Sequence, residues 1–264
     1  IFAGFSIASV FGVPLGTTIS MTYGWRYTFF VISVITIITF VLLIFILPRN
    51  LEQVSSSVAG QLTLLKDRRI YIAVFLVLFT AAAMYGYYTY IRPLLTTALG
   101  FSTASLNWLL FIIGIMSIIS NRLSGMLAEH RGLQVMPRFY VADIVLLMLL
   151  PMALANKAAG LAILLVLTLI ITILNSPIQI HFLNLAEREY PQSIVLASSL
   201  NSIFFNFGIS LGSATSSLMM ANVGLKWISV GAAVFALISL VLAILLNRAV
   251  QRRKIAASVI KQAA

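Results

Sequence analysis

Apolar residues in this chain come in stretches of about twenty, separated by short tracts that hold nearly all of the charge. The stretches lie at about 2–20, 27–47, 70–92, 105–127, 136–155, 160–181, 194–219 and 226–247. At about 1.5 Å of rise per residue, a helix over each is long enough to cross roughly 30 Å of hydrocarbon. The alternating pattern of a membrane barrel is absent, and an unpaired backbone group in lipid costs several kcal/mol, so the spans must be helices. The pattern predicts an all-α integral membrane protein with about eight transmembrane helices. Most connections are short, which predicts that consecutive helices pack as antiparallel hairpins. The exception is 48–69, where Ser55, Ser56 and Ser57 precede Lys66, Asp67, Arg68 and Arg69. This polar tract is the best domain boundary.

Composition agrees with a lipid environment: 61% of residues are hydrophobic and 9% charged, close to the reverse of what coats a soluble domain. The net charge of +11 would suggest nucleic acid in a soluble protein, but the basic residues sit between spans rather than on one face, so no nucleic-acid partner is expected. Counting Lys and Arg in alternate connections puts thirteen on one side and four on the other, namely Arg26, Arg92, Lys157 and Lys226. The richer side is expected in the cytoplasm, with the carboxyl terminus there and the basic tail 248–264 as an orientation anchor. With no cysteine, two histidines and no triad or paired carboxylates, neither a metal nor a cofactor site nor an enzyme is predicted. Ile1 opens the chain without the charged head and cleavage site of a signal peptide, which is read as a start partway through a longer protein.

Several residues suggest more than a bundle. Gly4, Ala8, Gly12, Gly16 and Ser20 recur every four residues and form a seam of small side chains that admits a close helix neighbour. Pro14 within it predicts a kink or local rearrangement. Gly208, Gly212 and Ser216 repeat the theme, preceded by Asn201 and Asn206, which either join helices or line a polar cavity. Asp143 is the one acid deep within a span. Arg122 lies at similar depth in the preceding helix, so an ion pair between them competes with a protonation role for Asp143. Tyr85, Tyr88 and Arg92 share a face near the other membrane surface, as interface anchors or as an outer gate and substrate wall. Asn175, Pro177, Gln179 and His181 cluster in the sixth span, where the amides either satisfy backbone groups freed by the proline or bind polar substrate groups.

The order of these motifs resembles the major facilitator superfamily, specifically its drug and sugar proton antiporters grouped with the arabinose efflux permease. Gly12-Val13-Pro14-Leu15-Gly16-Thr17 followed by Gly24-Trp25-Arg26-Tyr27-Thr28-Phe29 is similar to the antiporter signature of the family's fifth helix and the entry to its sixth. Asn121 to Gly132, with Gly125, Glu129 and Arg131, resembles the loop between its eighth and ninth helices. Here Glu129 takes the usual aspartate place, and Leu133 with Gln134 replace a basic pair. Asp143, Ser176-Pro177-Ile178-Gln179 and Asn206-Phe207-Gly208-Ile209-Ser210-Leu211-Gly212 also match the family pattern. The resemblance implies helices five to twelve of a twelve-helix transporter. Residues 1–47 become the last pair of the amino-terminal bundle, 48–69 the cytoplasmic linker and 70–247 the complete carboxyl-terminal bundle of six.

The implied activity is proton-coupled efflux of a small solute, a sugar or drug-like compound, by alternating access. It implies a multi-pass protein of the bacterial cytoplasmic membrane, monomeric when complete and connected with drug resistance or sugar transport. Such a chain has protons, a small solute and the lipid bilayer as partners, while residues 1–264 alone are not expected to transport. A nonenzymatic scaffold or assembly subunit is the competing class, and a channel finds no filter or charged ring to support it.

Overall fold

The computed structural model describes residues 11–47, 60, 63–130 and 132–263. Among them the regular structure is helical: α1 (Val13–Tyr23), α2 (Trp25–Ile46), α3 (Arg68–Tyr88), α4 (Thr103–His130), α5 (Met136–Ala153), α6 (Lys157–Ile173), α7 (Asn175–Glu189), α8 (Ile194–Asn222) and α9 (Ile228–Ala263), with short helical turns between some of them. Six helices of the described residues are long and apolar enough to cross a membrane, and Lys157–Ile170 is a shorter apolar one. Of the eight spans read from the sequence, the first is described only from residue 11, where residues 11 and 12 have π-helical geometry just ahead of Pro14. That is the local rearrangement a proline within a helix calls for. Gly4 and Ala8 lie outside the described residues.

The sixth span is two helices rather than one, α6 and α7, divided at Leu174. Pro177 explains the division. It offers no N–H to the carbonyl four residues back and crowds it, so the chain breaks and restarts with Pro177 in the first turn of α7. The carbonyl so released, that of Ile173, accepts a hydrogen bond from Ser124 Oγ at 2.6 Å. One turn earlier on α4, Ser120 Oγ donates to the Leu169 carbonyl. Two serines four residues apart therefore stitch α4 to α6 where the ladder is weakest.

The expectation of sequential hairpins holds for α1–α2, α5–α6 and α8–α9 and is corrected for α4–α5. The main neighbours of α3 are α8 and α9, α5 lies on α9 and α6, and α4 on α6 and α7; α4 and α5, though joined by a short turn, are not among the principal pairs. Small residues decide this. A Cβ on Gly208 would collide with the Leu78 carbonyl and Ala81, and one on Gly212 with the Ala82 backbone. Ser216 Oγ donates to the Gly86 carbonyl, while a Cβ on Gly86 would sit 2.9 Å from that of Ala232 on α9. Backbone-to-backbone approach gives dispersion contact that larger side chains forbid, which is what holds helices together where lipid is as apolar as the helix surface.

The bundle interior has three levels. One apolar cluster takes in Ala83, Tyr87, Leu110, Leu147, Leu150, Leu164 and Ala236, and the other Leu64, Val74, Val77, Tyr140, Leu174, Phe182 and Leu246. Between them in sequence, on α3, α5, α6 and α9, fall Thr80, Asp143, Thr168 and Ser239, all buried. The α1–α2 pair is different. It is held together by Thr28 Oγ1 donating to the Gly16 carbonyl at 3.3 Å, and α1 touches α4 through Asn107 Nδ2 donating to Thr18 Oγ1 at 3.2 Å and the Phe11 and Phe111 rings, 6.3 Å apart. No residue of α2 is buried.

Candidate functional site

Asp143 of α5 is the acid of the polar level. It is 0% exposed, and neither carboxylate oxygen has a hydrogen-bond partner. Tyr87 of α3 and Tyr140 of α5 are within its electrostatic reach. The Tyr140 hydroxyl shares a 2.5 Å hydrogen bond with Thr80 Oγ1, which also donates to its own helix at the Leu76 carbonyl. Ser239 Oγ of α9 is buried and unpartnered as well. Between the two apolar clusters, α3, α5, α6 and α9 thus carry buried hydroxyls and one buried acid.

The pairing of Asp143 with Arg122 is not formed. Arg122 is exposed and in no ion pair among the described residues. The reason is the helix arrangement: depth from a shared turn places two residues at one level, but α4 and α5 turn to different neighbours, and Arg122 points out of the bundle that encloses Asp143.

The tyrosines divide by face. Tyr87 is buried, whereas Tyr85 and Tyr88 are half-buried on the surface between α3 and α8, their rings 6.0 Å apart edge to face. Tyr85 also meets Phe205 of α8 at 6.3 Å, and beyond them Thr89 and Ser213 share a 2.8 Å hydrogen bond. On the same α8, Asn206 is exposed and its amide donates to the Ser202 carbonyl of its own helix at 2.8 Å; Asn201 is half-buried. Asn206 thus does not join α8 to α3: the face buried against α3 belongs to Gly208, Gly212 and Ser216, and Asn206 lies off that stripe. Arg92 is exposed beyond the end of α3. Gln179 is half-buried on α7, and the side chain of Asn175 lies outside the described residues. The structure thus brings Tyr85 together with Tyr88 and with Phe205. Of the seam on α1, Gly16 packs on Thr28, while Gly12 has open space around it.

The motif from Asn121 is helical rather than looped, since α4 runs on to His130. Gly125 is half-buried with open space beside its Cα. The side chains of Glu129 and His130 and all of Arg131 lie outside the described residues.

Sequence reasoning missed a charge network at the end of the bundle where α3 begins and α7 ends. Asp67 caps α3, accepting from the Arg69 backbone N–H at 2.9 Å. The Arg69 guanidinium bonds the same carboxylate and reaches Glu189 at 2.6 Å. Arg253 of α9 closes the square, at 3.1 Å from Asp67 and 2.8 Å from Glu189, and Tyr190 donates to Asp67 at 3.3 Å. Burial alone would raise the Asp67 carboxyl, but its hydrogen bonds to Arg69, and the charges of Arg69 and Arg253, outweigh that and hold it below its ordinary value of 3.8. The signal was present: Asp67 and Glu189 are two of only six acids, both on the side dense in arginine.

A second missed feature is internal repetition. Gly24 between α1 and α2 has φ +90°, and Gly224 between α8 and α9 has φ +89°, a region that favours glycine. Each is followed two residues on by a base, Arg26 and Lys226, beside an aromatic ring, Trp25 and Trp227. Counting back from each turn aligns Gly12 with Gly212, Gly16 with Ser216 and Ala8 with Gly208. The two hairpins α1–α2 and α8–α9 thus share the same glycine turn and the same spacing of small residues ahead of it.

The sequence model for the Major Facilitator Superfamily matches residues 1–195. The chain belongs to this superfamily. An uncharacterized MFS-type transporter of Bacillus subtilis, YtbD, is 32% identical over 232 residues, covering 85% of this chain and 57% of the relative. The inner membrane transport protein YdhP of Escherichia coli K12 is 30% identical over 243 residues, 91% of this chain and 61% of its own length. The putative transporter AraJ of the same organism is 23% identical over 222 residues, 83% of this chain and 55% of its own. The chain therefore spans less than two thirds of the length of these relatives. Members of the superfamily are transporters rather than enzymes, so the bundle is that of a multi-pass membrane protein from a bacterial transporter family.

Proposed function

We propose that the protein is a proton-coupled exporter of a small solute, a sugar or drug-like compound, working by alternating access. The observation that carries the reading is Asp143, an acid wholly enclosed at mid-span with both oxygens unpartnered. An isolated charge in so dry a place is costly, so an acid retained there has a use, and the exchange of a proton is the chemistry a lone carboxyl offers. Tyr87 and Tyr140 are the hydroxyl-bearing side chains within its electrostatic reach, and the proton arrives when the bundle opens the acid to water. Loss of the pair with Arg122 favours this role over a static bridge. Tyr85, Tyr88 and Phe205, with Asn201, Asn206 and Gln179, form the solute wall: aromatic faces stack on sugar rings and drug rings alike, and amides fix polar groups. Arg92 and Arg122 then act as gating residues.

The repeated hairpin supports the division of the chain. If α1–α2 is the counterpart of α8–α9, residues 1–47 end one transporter half, 48–69 link it to the other, 70–247 are the six helices of that second half and 248–264 its basic tail. Single-chain halves of this kind give a monomer. The excess of Lys and Arg on one side, including Arg69, Arg188, Arg248, Arg252 and Arg253, supports a cytoplasmic carboxyl terminus. The test is to reconstitute the intact transporter in liposomes, impose a proton gradient and screen sugars, nucleosides and drugs. Gradient-driven movement of a solute, with its dependence on pH lost in Asp143→Asn, is expected. Movement that ignores the gradient, or a pH dependence unchanged in that variant, overturns the proton role.

A further inference from the structure

The end of the bundle carrying the charge network also holds a cavity of about 540 Å³ that transport leaves unused, walled by Arg69, His181, Asn184, Arg188, Glu189 and Arg253. Two of its arginines are already spent: Arg69 and Arg253 each bond both Asp67 and Glu189, two cations against two anions. Arg188 is exposed and, among the described residues, in no ion pair, so the wall keeps one positive charge in excess. His181, Asn184 and Arg188 stand on α7 at spacings of three and four, hence on one face of the helix. His181 Nε2 is cut off from solvent and has no hydrogen-bond partner. That nitrogen lies beneath the cavity wall, so the donors that face the cavity in excess of the ionic square are those of Arg188 and Asn184.

We propose that this cavity binds a phosphate group bearing one negative charge. The Arg188 guanidinium presents parallel N–H donors that match the two free oxygens of a phosphodiester, and the Asn184 amide donates to one of them. The single excess charge suits a phosphodiester, because the Asp67 and Glu189 carboxylates beside it would repel a fully ionised phosphate. The ionic square holds the far wall rigid, so the site is built before the ligand arrives. Because the cavity opens where spans end, the phosphate comes either from a lipid headgroup or from solution.

The experiment places the intact transporter in phosphatidylcholine nanodiscs in two arms. In one, phosphatidylglycerol is added and the lipid retained per protein is counted by native mass spectrometry. In the other, inorganic phosphate is titrated calorimetrically. Saturable binding in either arm is expected, weakened about tenfold in Arg188→Gln and less in Asn184→Leu, but unchanged in Arg138→Gln, an exposed arginine at the start of α5. The arm that responds names the source. Thermal unfolding of Arg188→Gln in parallel is expected to match the parent, so lost binding is not lost fold. Equal binding in Arg188→Gln and Arg138→Gln, or no saturable binding in either arm, overturns the proposal.

Discussion

This bundle holds its acids in two opposite ways. Asp67 and Glu189, at the end where α3 begins, are saturated: each is bridged by both Arg69 and Arg253, and Asp67 also caps a helix. Asp143, at mid-span, is more deeply enclosed and has no bridge at all. A network with every charge met cannot change its protonation without loss of structure, so it serves as a fixed joint among α3, α7 and α9. A lone acid has nothing to lose by taking a proton. The difference separates the part of the molecule that holds shape from the part that can cycle.

The sharpest way to break this comparison is to remove the centre of the network. Arg69→Ala leaves Asp67 buried with only Arg253 beside it, and is expected to destabilise the bundle by about 3 kcal/mol, read from thermal or denaturant unfolding in detergent. Asp143→Asn is expected to do the converse: unfolding unchanged or slightly improved, but proton-driven transport by the intact protein reduced about a hundredfold. If Arg69→Ala left stability intact while Asp143→Asn unfolded the protein, the two regions would have been assigned the wrong way round.

Acid gives a milder version of the first test. The Asp67 carboxyl titrates below 3.8 in the folded protein, so its contribution is fully present above the ordinary value and is lost as pH falls below it through the folded value. Stability of the bundle is thus expected to drop on acidification past pH 3.8, and the drop to shrink in Asp67→Asn. Smaller again, Ser124→Ala should cost about 1 kcal/mol by orphaning the Ile173 carbonyl, seen as faster amide exchange around Leu174. Arg253→Gln, at the solvent side of the square with its side chain 53% exposed, should cost less than about 1 kcal/mol; a loss as large as that of Arg69→Ala would make the two arginines equal partners.

How far the sequence could be read depended on what each feature answers to. Helix identity and approximate span came through because lipid leaves the backbone no alternative. The seam of Gly208, Gly212 and Ser216 was legible as a packing surface, since spacing alone puts those residues on one face, yet its partner was not: short loops pointed to sequential neighbours, and the seam instead receives α3, far away in the chain. The break at Leu174 was half-read, from Pro177, without the Ser124 hydroxyl that repairs it. Asp143 was singled out correctly as unusual, but its pairing with Arg122 was inferred from depth, and depth says nothing about the direction in which a side chain faces. The square of Asp67, Arg69, Glu189 and Arg253 draws on three segments more than a hundred residues apart in places and had no local pattern to announce it.

By itself, then, the sequence determined that this chain spans a membrane many times as helices, which side is basic, and through the order of its motifs the superfamily it belongs to. Those properties are written in runs of neighbouring residues, where hydrophobicity and periodicity act. Only the tertiary structure decided which helices touch, which acid is left alone and which are bridged, because a helix face is chosen by the close fit of distant small residues and a charge is satisfied or stranded by whatever that fit brings beside it.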